Sequence, residues 1–298
     1  MPRKLLYIIN PIAGTGKKDS LRSLIENKTR QAGVDFEIID SRKDGNYKSL
    51  ESEIAAKNFT HIIICGGDGT VSQALSSLHH LPVKFGIIPM GSGNGLARAA
   101  KIPMDNSKAI ELALTGDAFA TDALLVNDEF ACMLVGLGFD AAVAHSFAKA
   151  GTRGLLTYVK ETFKNLLNKK YYPISIHVDD IKIDTDIFLL NIANGNQYGN
   201  EFKIAHHANL NDGLFDVIVL KQQSIFSLIK NMLVLLMGNK KPQNAIDSKS
   251  SLNYFQCSEI RIENPANAPF HVDGDPANSP ASLEIKIIPA AYSLLRTK

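Results

Sequence analysis

The sequence has few cysteines, no long apolar run and little net charge, and each of these absences excludes a class of protein. Cys65, Cys132 and Cys257 lie far apart and form no CxxC pair, which excludes a disulfide scaffold and indicates reduced thiols in a cytosolic protein. No segment contains the roughly 18 apolar residues of a membrane span. The formal net charge is only +2, which gives no reason to expect a nucleic-acid partner.

The N-terminal segment "MPRKLLYIIN" is basic and then apolar, as a secretion signal would be. Its apolar run, "LLYII", is too short for a signal peptide, and no small-residue cleavage site follows. We therefore predict that this segment is a first buried strand and that the protein is cytoplasmic.

The rhythm of the sequence changes near Thr121. Before it, runs such as "KLLYIIN", "THIIIC" and "KFGIIP" alternate with helical patterns, which is typical of parallel strands buried on both faces. After it, polar–apolar alternation predicts antiparallel strands, interrupted by the helical stretches "FAKAGTRGLLTYVKETFKNLLN", which begins at Phe147, and "SIFSLIKNMLVLLMG". The sequence thus predicts an open, mostly parallel α/β domain over 1–121 and a β-rich antiparallel sandwich over 122–298, whose last strand can return to the first domain.

Three glycine-containing turns follow the first, third and fourth predicted strands: "NPIAGTGKK", "GGDGT" and "PMGSGNG". Ligands of an open parallel sheet bind beyond the carboxyl ends of its strands. Glycine lets phosphate approach main-chain N–H groups, and the start of the next helix adds further donors. None of the turns matches GxxxxGK[ST] or GxGxxG, which excludes the P-loop and the common dinucleotide fingerprint. Together they predict a polyphosphate site, although "GTGKK" alone is also compatible with a solvated turn.

Asp68 is unexpected in such a turn, because a carboxylate repels phosphate. It would be explained by contact with Mg²⁺ bound to the phosphates, or by acceptance of a proton from an attacking hydroxyl. The alternative is that Asp68 only caps the following helix, which its position favours. Beside two further glycine turns, we favour the functional role.

These segments resemble a known family. "NPIAGTGK", "GGDGTVSQALSSL" and "IIPMGSGNGLARA" are similar to the catalytic domain of diacylglycerol kinases, sphingosine kinases and related bacterial lipid kinases, and the similarity continues through "GLGFDAAV", "NDGLFDV" and "HVDGDP". "GGDGT" alone is shared with NAD kinases and phosphofructokinases. The resemblance covers nearly the whole chain in the same order, and it implies an NAD kinase/phosphofructokinase-like first domain.

The resemblance implies that ATP is bound by the glycine turns and their neighbours. Ser41 stands where the family often has threonine near the nucleotide, and "GSGN" is more similar to the sphingosine kinase form of the turn than to "GTAND". The implied nucleotide contacts are Asn10, Gly14, Ser41, Gly66, Gly67, Asp68, Gly69, Thr70, Ser92 and Asn94.

The resemblance also implies a general base in the "VDGDP" loop. Bacterial members commonly have glutamate at the position of Asp275, preceded by an aspartate that corresponds to Asp273. Aspartate at position 275 is one methylene shorter, so either Asp275 or Asp68 is left as the candidate base. Asp-Gly is also typical of a type I′ hairpin turn, which is compatible with either role.

The segment "ANLNDGLFD" resembles a structural Mg²⁺ loop of bacterial members. Asp212 would supply a carboxylate, and Asn209 and Leu214 would supply carbonyl oxygens, a donor set that suits a hard ion. Ordinary turn chemistry explains the same residues equally well.

The sequence and the resemblance together predict an ATP- and Mg²⁺-dependent kinase that phosphorylates the hydroxyl of a diacylglycerol or sphingoid-type lipid. A NAD kinase-like enzyme and a non-catalytic nucleotide or lipid sensor are the alternatives. The two apolar helical stretches fit as cover for the sandwich, and lysine clusters beside them suit transient contact with an anionic membrane surface. A homodimer is compatible with the sequence.

Overall fold

Four short apolar strands near the N-terminus form a parallel sheet, as their composition predicts. Strand β3 (His61–Gly66) lies between β1 (Lys4–Ile9) and β4 (Lys84–Pro89), and β2 (Asp35–Asp40) pairs with the other edge of β1. Every residue of β3 is buried, which explains its unbroken apolar run. The computed structural model describes residues 2–11, 18–151, 155–197 and 203–297.

Helices follow the strands of this sheet, so the glycine turns lie where strands end and helices begin. The carboxyl ends of β1, β3 and β4 therefore share one rim. The helices of this region are α1 (Lys18–Gln31), α2 (Glu51–Ala56), α3 (Asp68–Leu78), α4 (Gly95–Ala99) and α5 (Asn106–Thr115), with one 3₁₀ turn at Lys48–Leu50.

The last strand, β15 (Ser282–Arg296), contributes to both units of the chain. Its first part pairs antiparallel with β12 (Glu259–Glu263), whereas Ser293 and Leu294 pair in parallel with β4. By its internal contacts the chain divides into two units, which are Met1–Asp122 with Ala290–Lys298, and Ala123–Pro289.

The second unit is an antiparallel β structure organised by the long strand β9 (Ile181–Ala193). The first half of β9 pairs with β8 (Tyr172–Val178), and its second half lies between β7 (Leu134–Gly138) and β10 (Phe215–Lys221). The predicted combination of a parallel α/β region and an antiparallel β-rich region is thus confirmed. The remaining elements are β5 (Asp117–Val126), β6 (Glu129–Ala131), α6 (Phe139–Lys149), α7 (Leu155–Leu167), α8 (Ile225–Leu236), β11 (Leu252–Cys257), β13 (Phe270–Val272) and β14 (Asp275–Ala277).

Two helical regions depart from the sequence prediction. Helix α5 was missed, although Asp105 signals its start by accepting a hydrogen bond from the Lys108 N–H at 3.0 Å. The helix predicted to begin near Phe147 is two helices, and α6 begins eight residues earlier because Gly138, with φ of +87°, ends β7.

In the described part of the chain, no helix is both long and apolar enough to cross a bilayer.

His61 gives the fold a predictable sensitivity to acid. The side chain is buried, and burial lowers the pKa of its imidazole from 6.5 to about 4, with the charges of Arg3 and Lys84 adding to the effect. Between these pH values the unfolded chain binds a proton that the folded chain does not. The free energy of unfolding should therefore fall as the pH falls from 6.5 towards 4.

Urea unfolding across this pH range would measure the effect of His61, and His61→Gln provides the comparison. The substituted protein should lose less stability on acidification than the native protein, whatever its stability at neutral pH. Equal losses would show that His61 does not titrate as its burial requires.

Candidate functional site

The turns after β3 and β4 lie in direct contact, and glycine occupies both sides of the contact. A Cβ atom on Gly91 would lie 2.7 Å from the Cα of Gly67, and a Cβ atom on Gly67 would lie 3.1 Å from the Cα of Gly91. Gly66 similarly leaves room for Thr70, whose Cβ would lie 2.6 Å from an added methyl group. Packing thus excludes side chains at Gly66, Gly67 and Gly91 and leaves the backbone there uncovered by Cβ atoms.

Helix α3 begins inside this rim. Gly67 is its N-cap, and the N–H groups of Asp68, Gly69 and Thr70 in its first turn have no acceptor within the helix. The side-chain amide of Asn10, at the end of β1, donates to the Thr70 hydroxyl at 2.8 Å. The N–H groups of a first helical turn and the positive end of the helix dipole are what an anionic phosphate requires.

Asp68 joins the two glycine turns. Its Oδ1 atom accepts a hydrogen bond of 2.6 Å from the backbone N–H of Gly95, the first residue of α4, and α3 has no side-chain cap bond at its N-cap. Gly67 occupies the N-cap position of α3, and Asp68 is the first residue of the helix. The carboxylate is positioned across the rim by a residue 27 positions away in the sequence.

The side chain of Asn94 stabilises the turn after β4 by bonding to the backbone of that turn. It adopts a left-handed conformation with φ of +53°, its Oδ1 atom accepts from the Gly91 N–H at 2.9 Å, and its Nδ2 atom donates to the Gly91 carbonyl at 2.7 Å. Ser92, at the tip of the same turn, is exposed. Asn94 therefore holds the turn in shape, and Ser92 is the member of the pair that is open to a ligand.

The structure brings the candidate nucleotide residues of the first unit to one rim. Ser41 joins them from the end of β2, where its N–H donates to the Ile9 carbonyl at 2.7 Å. Gly14 lies outside the described residues. Gly91 is not among the residues predicted from the sequence, where the glycine itself is the only sign of its contact with Gly67.

Gly91→Ala should therefore damage the rim sterically. The added methyl group would press on the Gly67 backbone, which cannot rotate away, so we expect a loss of about 1–3 kcal/mol of stability. Nucleotide affinity should fall as well, because the two turns move apart. Thermal unfolding and calorimetric titration with ATP would measure both effects, and values equal to the native ones would contradict the close contact.

In the second unit, Asp273 and Gly274 form the two-residue turn that links β13 to β14. Val272 pairs with Asp275, and both turn residues have positive φ, as a type I′ turn requires. The Asp273 carboxylate accepts hydrogen bonds from three consecutive backbone N–H groups at 2.8–3.0 Å. These donors belong to Cys132, Met133 and Leu134. Asp273 therefore fastens the hairpin to the segment that leads into β7.

Asp275 differs from Asp273 because its side chain is exposed. It is the first residue of β14, so the rigid turn fixes its backbone while the carboxylate faces solvent. The two carboxylates of "VDGDP" thus differ. Asp273 accepts hydrogen bonds from backbone N–H groups, whereas Asp275 is accessible to a substrate.

A buried polar cluster around His271 contacts β13, the first strand of the hairpin that Asp273 and Gly274 close. His271 Nε2 lies 3.2 Å from Asp140 Oδ2, and the Asn191 amide donates to the same oxygen at 3.2 Å. The Gly274 N–H donates to His271 Nδ1 at 3.4 Å, which leaves the ring hydrogen on Nε2 to face Asp140. Gly136 is required beside them, because a methyl group there would lie 2.1 Å from the Asp140 carboxylate. This cluster was not predicted from the sequence, because it joins residues of β9, β13 and α6 that are far apart along the chain.

The candidate metal loop contains an Asx turn at Asp212, whose Oδ1 accepts from the Leu214 N–H at 3.2 Å. Asp216, two residues further on, is almost fully buried, and burial raises the pKa of its carboxyl to about 6, with the charge of Asp212 adding to the effect. Among the described residues no three His, Cys, Asp or Glu side chains converge on a metal position. An ion held here would depend on the carbonyls of Asn209 and Leu214 together with Asp212.

A cavity of about 550 Å³ lies in the second unit beside α6, α7 and β14. Phe139 and Phe188, stacked with ring centroids 4.5 Å apart, form part of its apolar wall. His145, Asn165 and Asn278 add polar groups. Its mixed lining suits a molecule with both apolar and hydrogen-bonding parts.

The sequence matches two family models in succession. Residues 4–126 match the diacylglycerol kinase catalytic domain, and residues 133–296 match the YegS C-terminal NAD kinase beta sandwich-like domain. A Yersinia enterocolitica protein named "Probable lipid kinase YegS-like" is 30% identical over 98% of this chain and 96% of its own length. A Pectobacterium atrosepticum protein of the same name is 29% identical over 97% of this chain and 94% of its own length.

Solved structures share the fold. A "putative diacylglycerol kinase" from Bacillus anthracis has a TM-score of 0.80 at 20% identity and covers 99% of this chain and 98% of its own. A second diacylglycerol kinase structure from the same organism has a TM-score of 0.75 at 19% identity, over 99% and 97% of the two chains. The two consecutive family matches and the full-length relatives show that this chain belongs to the YegS-like family of lipid kinases, with a diacylglycerol kinase catalytic domain followed by a YegS-type sandwich domain.

Proposed function

We propose that this protein transfers the γ-phosphoryl group of ATP to the hydroxyl of a diacylglycerol or sphingoid-type lipid, with Mg²⁺ as cofactor. The observation that carries the proposal is the contact between the Gly67 and Gly91 turns, which presents bare backbone and the first turn of α3 at one rim. That arrangement suits a triphosphate, because phosphoryl transfer depends on positioning and on stabilisation of charge.

Two carboxylates can serve the acceptor hydroxyl. Asp68 stands at the phosphate rim with one oxygen on the Gly95 N–H, and Asp275 is exposed on a turn that Asp273 makes rigid. Either one could accept the proton of the attacking hydroxyl, and Asp68 could also contact a metal ion at the phosphates.

Oxygen donors in both units fit Mg²⁺. At the rim, Asp68 would contact an ion that offsets the charge of the triphosphate during transfer. In the second unit, Asn209, Asp212 and Leu214 offer an all-oxygen donor set, and Asp216 adds a buried carboxylate whose charge a cation would offset. The second site would hold its loop in place and takes no part in the transfer.

The cavity beside α6 and α7 is the candidate acceptor site. Its paired phenylalanine rings would contact the hydrocarbon part of a lipid, and His145 and Asn278 would contact its polar part. A lipid with one free hydroxyl has the same division into apolar and polar parts.

Incubation with γ-labelled ATP, MgCl₂ and a panel of detergent-solubilised lipids would test the proposed function. The panel contains diacylglycerol, monoacylglycerol, ceramide and sphingosine, and NAD is supplied in a parallel reaction. We expect label in the organic phase with a diacylglycerol or sphingoid acceptor, and only with Mg²⁺ present. Label on NAD alone would support a dinucleotide kinase. Nucleotide binding without transfer to any acceptor would support a sensor.

A further inference from the structure

Two helices of the second unit carry nearly all of the strongly exposed large apolar side chains. Nine such residues are exposed in the described part of the chain, and Ile181 is the single one outside these helices and their ends. Leu156 and Leu167 are 87% and 85% exposed, and Phe226 and Met237 are 83% and 70% exposed. On α7 the residues are Leu156, Val159, Phe163 and Leu167, and on or directly after α8 they are Phe226, Ile229, Leu233 and Met237.

The spacing of these residues is the same in both helices. Each set follows the pattern n, n+3, n+7, n+11, which places all four side chains on one side of a helix with about 3.6 residues per turn. Each helix also has a buried side, which contains Glu161 in α7 and Leu228 and Leu235 in α8. The exposed apolar face is therefore additional to the face that packs on the unit. Besides the buried side that the prediction of a cover for the sandwich requires, each helix thus has an apolar side that meets solvent.

The two helices meet at the same end of the sheet. Tyr172, which begins β8 after α7, and Lys221, which ends β10 before α8, both pair with Ile187 of β9. The Tyr171 hydroxyl donates to the Gln223 carbonyl at 3.1 Å, so the segment after α7 contacts the segment before α8. The C-terminal end of α7 and the N-terminal end of α8 are thus neighbours on one edge of the unit.

The charged side chains of the two segments that contain these helices are almost all basic. Lys160, Lys164 and Lys170 are exposed at α7, and Lys230 and Lys241 are exposed at α8. Glu161 is the single carboxylate residue between positions 155 and 178, and it is buried, while positions 222–246 contain none. A second copy of the same basic surface would be repelled. An anionic lipid surface satisfies both the apolar faces and the lysines.

We propose that α7 and α8 form a docking surface that lies on an anionic lipid bilayer, with Leu156, Phe163, Phe226 and Leu233 inserted among the lipid headgroups. Helix α7 has 13 residues and α8 has 12, which at about 1.5 Å per residue is too short to cross a hydrocarbon core of about 30 Å. Both helices would therefore lie in the plane of the interface. This inference deepens the proposed function and rests on it for its purpose, because the acceptor lipid is found in such a bilayer.

Vesicle flotation without ATP tests the docking surface. The native protein is mixed with vesicles of phosphatidylcholine, or of phosphatidylcholine with phosphatidylglycerol, and the floated fraction is measured. We expect flotation with the anionic vesicles, weaker flotation with phosphatidylcholine alone, and a decrease as salt is added. A native protein that stays in the dense fraction with anionic vesicles would overturn the proposal.

Matched substitutions localise the surface. Leu156→Ser with Phe163→Ser removes the α7 contact, and Phe226→Ser with Leu233→Ser removes the α8 contact. Each pair should lower partitioning by roughly tenfold or more, because two large apolar side chains are lost. Ile181→Ser, the control at the remaining exposed apolar position, should leave partitioning within about twofold of native. Because all these side chains face solvent, circular dichroism spectra should stay native.

The remaining outcomes are distinguishable. Helix variants that float like the native protein would overturn the docking surface. So would light scattering that shows a native dimer split into monomers by the same substitutions, because a second copy would then be the occupant. A protein that floats but phosphorylates no lipid keeps the docking surface and loses the proposed function. One that phosphorylates detergent-solubilised lipid but does not float loses only the docking surface.

Discussion

Asp68→Asn is expected to reduce lipid phosphorylation by about 10²–10⁴-fold while the protein stays folded. The substitution removes the negative charge but keeps an oxygen that can accept the Gly95 N–H. A charge that contacts Mg²⁺, or a base that accepts the hydroxyl proton, is therefore removed without disconnecting the two turns. Initial rates with labelled ATP and a saturating lipid acceptor would measure the loss, with thermal unfolding as the check on folding.

Asp68→Ala is the matched comparison for Asp68→Asn. Alanine removes both the charge and the hydrogen bond to Gly95, so it should be as inactive as asparagine and somewhat less stable. If Asp68 served only to hold Gly95, the asparagine variant would keep nearly native activity and the alanine variant alone would fail. That result would leave Asp275 as the candidate base.

Asp273→Ala and Asp275→Ala should differ strongly in their effect on stability, although the two residues are separated only by Gly274. Asp273→Ala leaves three buried backbone N–H groups of residues 132–134 without their acceptor, which should cost about 3 kcal/mol of stability or more. Asp275→Ala changes an exposed side chain and should alter stability by less than about 1 kcal/mol. Urea unfolding of both proteins would measure the contrast.

Activity measurements test the role of Asp275 as the base. Asp275→Asn should slow phosphorylation by about 10²-fold or more if this carboxylate accepts the proton, and Asp275→Glu should restore much of the rate. Asp273→Asn should lose stability as well as activity, because an amide NH₂ cannot accept the backbone donors. Native activity in Asp275→Asn, combined with an inactive Asp68→Asn, would assign the proton to Asp68.

The rim of the first unit was largely predictable from the sequence, because its signals are local. Buried strands such as "THIIIC" show themselves by composition, and glycine directly after a strand indicates a turn that must stay free of side chains. The bond from Gly95 to Asp68 was not predictable, since it joins two turns through the folded sheet. Local signals therefore located the rim but not the partner that fixes its carboxylate.

The contacts of the second unit were harder to predict, because they join residues far apart in the sequence. The loop that Asp273 fastens lies about 140 positions earlier, and the Asp140–His271 contact spans 131 positions. The outward faces of α7 and α8 were missed for a different reason. A helix that is apolar on two sides has the composition of a core helix, and only the fold shows that one side meets solvent.

Strand β15 has a consequence for synthesis on the ribosome. The parallel sheet gains the Ser293–Leu294 pairing with β4 only when residues beyond Pro289 have been translated, after the whole second unit. Until then the nascent first unit presents β4 as an unpaired edge, which is a template for mispairing with other chains. The yield of native protein should therefore depend on how quickly the second half emerges, and a release of the chain before residue 290 should leave material that aggregates.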